Sequence, residues 1–258
     1  MTSIRGLMAR AWQIYRAYFG VMAGYASWLL LPYAGVVLLN LVGDQAWTKF
    51  SMSLLLLAQA VLFLGMLTIF PLLAACAVRR GNVDLSPQKL SEEAWKLAPS
   101  IVWVGLLETA IIFGGLVLLV IPAFVFSVWF GFGQLAVVLD GKKGMAALAF
   151  SREMVRGQFW AVAWRAIGGP ILIVLIYAVA LNVVVGGIAA IGNVPPEAFA
   201  TFPPPLWADV ITTVAEIFLL PFLFIYVTLV YLELRPKVMP DSEEKAPVEP
   251  PEPISTPA

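Results

Sequence analysis

The sequence predicts an all-α, polytopic membrane protein, and three observations carry that reading. Six stretches are apolar for long enough to cross a bilayer. The chain is 61% hydrophobic and 12% charged over 258 residues, with a mean hydropathy of +0.90, a balance poorly suited to wetting the surface of a soluble domain. The basic residues gather in alternate connections between the apolar stretches.

A helix crosses about 30 Å of hydrocarbon with about 20 residues at 1.5 Å each. Runs meeting that length occupy 19–42, 52–78, 101–121, 123–139, 161–191 and 206–234. The third and fourth are read as two spans with a tight turn at Pro122, because proline stops the helix before it. Charge supports the division. Six spans place fifteen of the sixteen Lys and Arg residues on one side, with Lys49 alone opposite, and cytoplasmic loops are the ones that collect Lys and Arg. Both chain ends are then expected in the cytoplasm of a bacterial cell, with the spans in its cytoplasmic membrane. The first apolar run exceeds a typical signal-peptide core and lacks a small-residue cleavage pattern, so it is read as an uncleaved span.

Three segments at 4–18, 86–97 and 145–159 mix basic, aromatic and apolar residues at helical spacing, as in amphipathic helices lying on anionic headgroups. Aligning Ala11-Trp12 with Ala94-Trp95 and Ser151-Arg152 also brings Phe19-Gly20, Val102-Trp103 and Phe159-Trp160 into register. The chain thus reads as three hairpins, each preceded by an interfacial helix, forming one domain over 1–235. Residues 236–258 are Pro- and Glu-rich with little to bury, and read as a disordered cytoplasmic tail.

Composition narrows the chemistry. There is no histidine and a single cysteine, Cys76. That removes the Ser-His and Cys-His pairs, His-ligated zinc hydrolysis and any disulfide framework. Net charge is zero, so no global field favours nucleic acid. P-loop, GxSxG, HExxH and CxxC patterns are absent, and no cofactor is expected.

Glu108 and Glu216 are the carboxylates set well inside apolar runs, where burying a charge is costly enough to raise the question of function. They are read either as part of a proton or solute pathway, or as structural groups, Glu108 pairing with Arg165 and Glu216 bonding Asn182 or a threonine. Asn40, Gln59, Gln134 and Asn182 read as polar glue between helices. Gly20 with Gly24, and Gly186 with Ala190, have the spacing that lets helices approach closely. Trp103 and Trp160 lie at span ends and Arg152 and Arg156 in the third amphipathic segment, where all four would contact lipid headgroups or a protein partner on the cytoplasmic face.

The stretch Ile121-Pro122-Ala123-Phe124, then Trp129-Phe130-Gly131-Phe132, Gly144-Met145-Ala146-Ala147-Leu148, Ser151-Arg152 and Gly157-Gln158-Phe159-Trp160 resembles a bacterial six-helix family. That family includes the membrane domain joined to some glycerophosphoryl diester phosphodiesterases. The ending Pro221-Phe222 with Tyr231-Leu232-Glu233-Leu234-Arg235 looks like its closing helix. The resemblance implies a six-span helical domain and no catalytic residues, since the phosphodiesterase activity of the fused relatives belongs to a separate soluble barrel. The expectation is a non-enzymatic membrane module that organises partners or lipid, with a small transporter using the two glutamates as the alternative.

Overall fold

The computed structural model describes residues 2–42, 46–79, 87–199 and 204–235. Asn40 is helical but its side chain, like the expected tail at 236–258, lies outside the described residues. Only helices occur among the described residues: α1 (Ile4–Ala17), α2 (Phe19–Ser27), α3 (Leu30–Val42), α4 (Ala46–Arg79), α5 (Pro87–Leu118), α6 (Val120–Phe130), α7 (Gly133–Asp140), α8 (Met145–Val155), α9 (Phe159–Ala163), a π-helical turn (Trp164–Gly168), α10 (Gly169–Ile191) and α11 (Leu206–Leu234). Six helical stretches are long and apolar enough to cross a membrane.

The closing helix α11 is the axis. Half of its most apolar window is buried inside the protein, against 6% for the stretch containing α10, so α10 turns nearly all its apolar surface outward. Ile217, Ile225, Tyr226, Leu229, Tyr231 and Leu234 are the buried side of α11, and α1, α2, α4 and α10 pack around it. Pro221 sits inside α11 without ending it. A membrane helix tolerates the lost backbone bond when neighbours surround it.

The expected boundaries hold at α11 and move elsewhere, for identifiable reasons. The turn between the third and fourth apolar runs is at Leu119, not Pro122. Pro122 falls in the first turn of α6, where no backbone donor is required. The two arms approach closely at Gly115: a Cβ there would come within 3.0 Å of the Ala123 nitrogen. The fourth run is itself broken, α6 ending at Phe130 and α7 starting at Gly133. The fifth is widened by the π turn just before Pro170, whose ring and missing N–H disturb a regular ladder.

The three segments expected to lie flat behave differently from one another. The first, α1, packs one side against α11 and runs antiparallel to it. The Thr2 hydroxyl donates to Glu233, the Trp12 ring is 6.2 Å from Phe222, and the Tyr15 hydroxyl donates to the Phe218 carbonyl at 2.9 Å. Further along, the Tyr33 hydroxyl of α3 donates to Asp209 at 2.7 Å, so the N-terminal helices follow α11 from one end to the other. Leu7 and Ala11 are fully covered by that packing.

The second segment, from Pro87 onward, is no separate helix; it continues as α5 for 32 residues. Leu90, Ala94, Ala98, Ile101 and Val104 form one buried stripe across the expected boundary, and α5 packs on α4 and α7. The third segment does form its own helix, α8, but stops at Val155 rather than Phe159. Finally, Gly20, Gly24 and Gly186 face open space, so the close helix approach expected of them is not made among the described residues.

Candidate functional site

The break between α6 and α7 leaves backbone groups without helical partners, and α8 supplies them. The Ser151 hydroxyl donates to the Trp129 carbonyl at 2.7 Å and accepts from the Phe132 N–H at 3.2 Å. Ser151 is fully buried, so this bond pair fixes α8 across the break. Ala147, Leu148, Met154 and Val155 bury the rest of that face.

With Ser151 inward, the next residue points out. Arg152 places its guanidinium 4.7 Å from the Trp129 ring, a cation–π contact. Arg156 pairs with Glu153 at 3.5 Å on the exposed side, a bridge that contributes little to stability. Trp129, Phe130, Met145, Leu148, Arg152, Glu153 and Arg156 line a groove of about 520 Å³ with an apolar floor and a rim of two arginines and one glutamate. Lys142 lies 5.5 Å from the Phe150 ring on the same face. The Trp103 indole reaches the loop after α7, at Gly144. Trp160 is 76% exposed and touches Phe124 and Phe159 with its ring.

A second polar cluster ties α7 to α11. Asp140, whose side chain is wholly buried, lies 2.7 Å from the Arg235 guanidinium. The contact is close electrostatically, although its N–H is not aligned on the carboxylate oxygen. The buried Tyr231 hydroxyl also donates to Asp140.

The sequence-derived carboxylates separate. Glu108 does not meet Arg165; its side-chain partner is the Gln134 amide of α7, and its Oε2 is buried without a partner. Arg165 sits in the π turn, where its carbonyl accepts from the Tyr226 hydroxyl at 3.1 Å. Gln134 also lines a cavity of about 220 Å³ with Pro71, Leu135, Leu220 and Phe224. Glu216 is exposed, with Tyr177 as its ionisable neighbour. Asn182 does not reach it, because the Asn182 amide donates to Ala178 in its own helix at 2.8 Å. Gln134 therefore bridges helices as expected, and Asn182 does not. Among the described residues no three His, Cys, Asp or Glu side chains gather as metal ligands.

Sequence reasoning singled out Arg152 and missed what holds it. Ser151 entered only as part of a repeated pattern, and Asp140 was overlooked, although an Asp-Gly at the end of an apolar run is a visible signal.

Among the described residues, six helical stretches of crossing length and apolarity mark a multi-pass helical membrane protein. Comparison with protein-family models, with curated proteins and with solved structures finds no match to the chain.

Proposed function

We propose that this chain is a non-enzymatic module of the bacterial cytoplasmic membrane, with both termini cytoplasmic, that holds anionic lipid at its basic face and presents that face to a protein partner. The observation that carries the reading is the groove beneath Arg152. Its apolar floor suits an acyl chain and its cationic, aromatic rim suits a phosphate headgroup, since arginine offers several donors in a fixed plane. Buried Ser151 holds that rim in place. Such a module needs no cofactor and no nucleic acid, and the absence of histidine is consistent with it.

Native mass spectrometry of protein reconstituted with phosphatidylglycerol and phosphatidylcholine tests this. Replacing Arg152 and Arg156 together by Gln is expected to reduce retained phosphatidylglycerol several-fold and leave phosphatidylcholine unchanged. Equal retention of both lipids before and after substitution removes the basis of the proposal.

One observation favours a second reading, a small transporter. Glu108, half-buried with one oxygen unpartnered, adjoins Gln134 at the 220 Å³ cavity. On that reading Glu108→Gln abolishes pH-dependent solute movement in proteoliposomes while the protein still folds; transport that persists rejects it.

A further inference from the structure

The α5–α6 hairpin has the length of two spans but not the geometry of a crossing. We infer that it is a re-entrant hairpin whose tip ends among the acyl chains of the leaflet bearing the basic face, so that four segments of the chain cross the bilayer and this one enters and returns.

The first argument is a bound on distance. Trp129 lies ten residues after the turn at Leu119, so the tip is at most about 15 Å from it along the helix. The Arg152 guanidinium is 4.7 Å from the Trp129 ring, and Glu153 and Arg156 beside it are exposed with side-chain accessibilities of 55% and 78%. Charged groups so exposed belong at the headgroup level, not in hydrocarbon. Half of a hydrocarbon core of about 30 Å is about 15 Å, so the tip reaches about the middle of the bilayer.

A nearer contact tightens the bound. Phe124 is five residues, about 7 Å, from the turn. Its ring is 6.2 Å from Phe159 and 6.5 Å from Trp160, which follow exposed Arg156 by three and four residues. In a hairpin that crossed, Phe124 would lie near the far surface, well away from that charged connection.

The second argument is the chemistry of the turn. Residues 110–126 carry no polar side chain, and Leu119, Val120 and Ile121 are 68%, 72% and 74% exposed. A turn in water would carry polar residues, as the other connections on the far side do: 43–49 includes Asp44, Gln45 and Lys49, and 192–209 includes Asn193, Glu197 and Asp209. The side chains of the tip match lipid, and two ladder bonds run through the turn, Leu119 N–H donating to Gly115 at 2.9 Å and Ala123 N–H to Leu119 at 3.4 Å.

Both arms start and end on the basic face whether or not the hairpin crosses, so the distribution of Lys and Arg is the same either way. Glu108, eleven residues before the turn, then lies at about the level of Trp129.

Spin labels on single cysteines, introduced on a Cys76→Ser background in proteoliposomes, read the depth directly. Labels go at Leu119→Cys and Ile121→Cys, with Asn193→Cys in the polar connection and Leu175→Cys on lipid-facing α10 as references. The expected result is that both tip labels collide with oxygen and are shielded from an aqueous nickel chelate as fully as the Leu175 label, while the Asn193 label is open to the chelate. Tip labels as accessible to the chelate as Asn193 overturn the inference, as does either tip label reacting with impermeant maleimide from the Asn193 side. Ile121 covers the case in which the Leu119 variant does not fold. The outcome is independent of lipid binding at Arg152, so failure of the proposed function leaves these labels unmoved.

Discussion

At the scale of single residues, positions that looked bland carry the most weight. Ser151 holds two backbone groups that a helix break would otherwise strand in a buried place. Ser151→Ala removes one partner from each, which costs about 1–3 kcal/mol per buried group left unsatisfied. The melting temperature in detergent is therefore expected to fall, with Ser151→Thr falling less because its hydroxyl can take the same bonds. Gly169 is a second case: any Cβ there would collide with the Tyr226 phenol, which is fixed by its bond to the Arg165 carbonyl. Gly169→Ala should destabilise by about 1–3 kcal/mol through overpacking, and Gly169→Ala combined with Tyr226→Phe should recover part of that in the same melting assay. Neither role was legible in the sequence. A serine beside an arginine and a glycine beside a proline are common, and only the facing helix gives each its meaning.

At the scale of elements, the Asp140–Arg235 pair joins the end of α7 to the end of α11, and its two partners differ in exposure. The Asp140 side chain is wholly buried whereas Arg235 is 26% exposed. Losing Arg235 strands a carboxylate with no route to water; losing Asp140 leaves a guanidinium whose long stem can turn toward the headgroups. Arg235→Gln is expected to cost about 3–5 kcal/mol and Asp140→Asn clearly less. The double variant should be more stable than Arg235→Gln alone, as chemical unfolding of the set would reveal. The elements themselves were readable wherever hydrophobicity and length decide the matter: 206–234 is helical over the residues expected. They were misread where a partner helix decides. The apolar stripe of α5 runs through an apparent boundary because α4 and α7 cover it, and α1 turns its buried side to α11. An amphipathic pattern reports that one face is covered, not by what.

At the scale of the whole molecule, the expected sidedness rests on charge, because each basic residue is costly to carry across the membrane. The packed bundle gathers these residues: Arg235 at the end of α11, Lys142 after α7, and Arg152 and Arg156 on α8. The opposite end carries Tyr33 and Asp209, joined at 2.7 Å, and the connection containing Asn193. If the basic face is cytoplasmic, impermeant maleimide applied to intact spheroplasts labels Asn193→Cys and spares Lys143→Cys and Arg156→Cys, which react only after lysis. The reverse pattern would mean an inverted molecule with its lipid groove toward the outer leaflet. Labelling of Lys143 and Arg156 from opposite sides would be incompatible with the fold, because Ser151 binds α8 to the α6–α7 break and leaves no membrane between those positions. The number of crossing segments can change by two without altering this result, so sidedness tests the charge argument alone and depth at the α5–α6 tip tests the geometry alone.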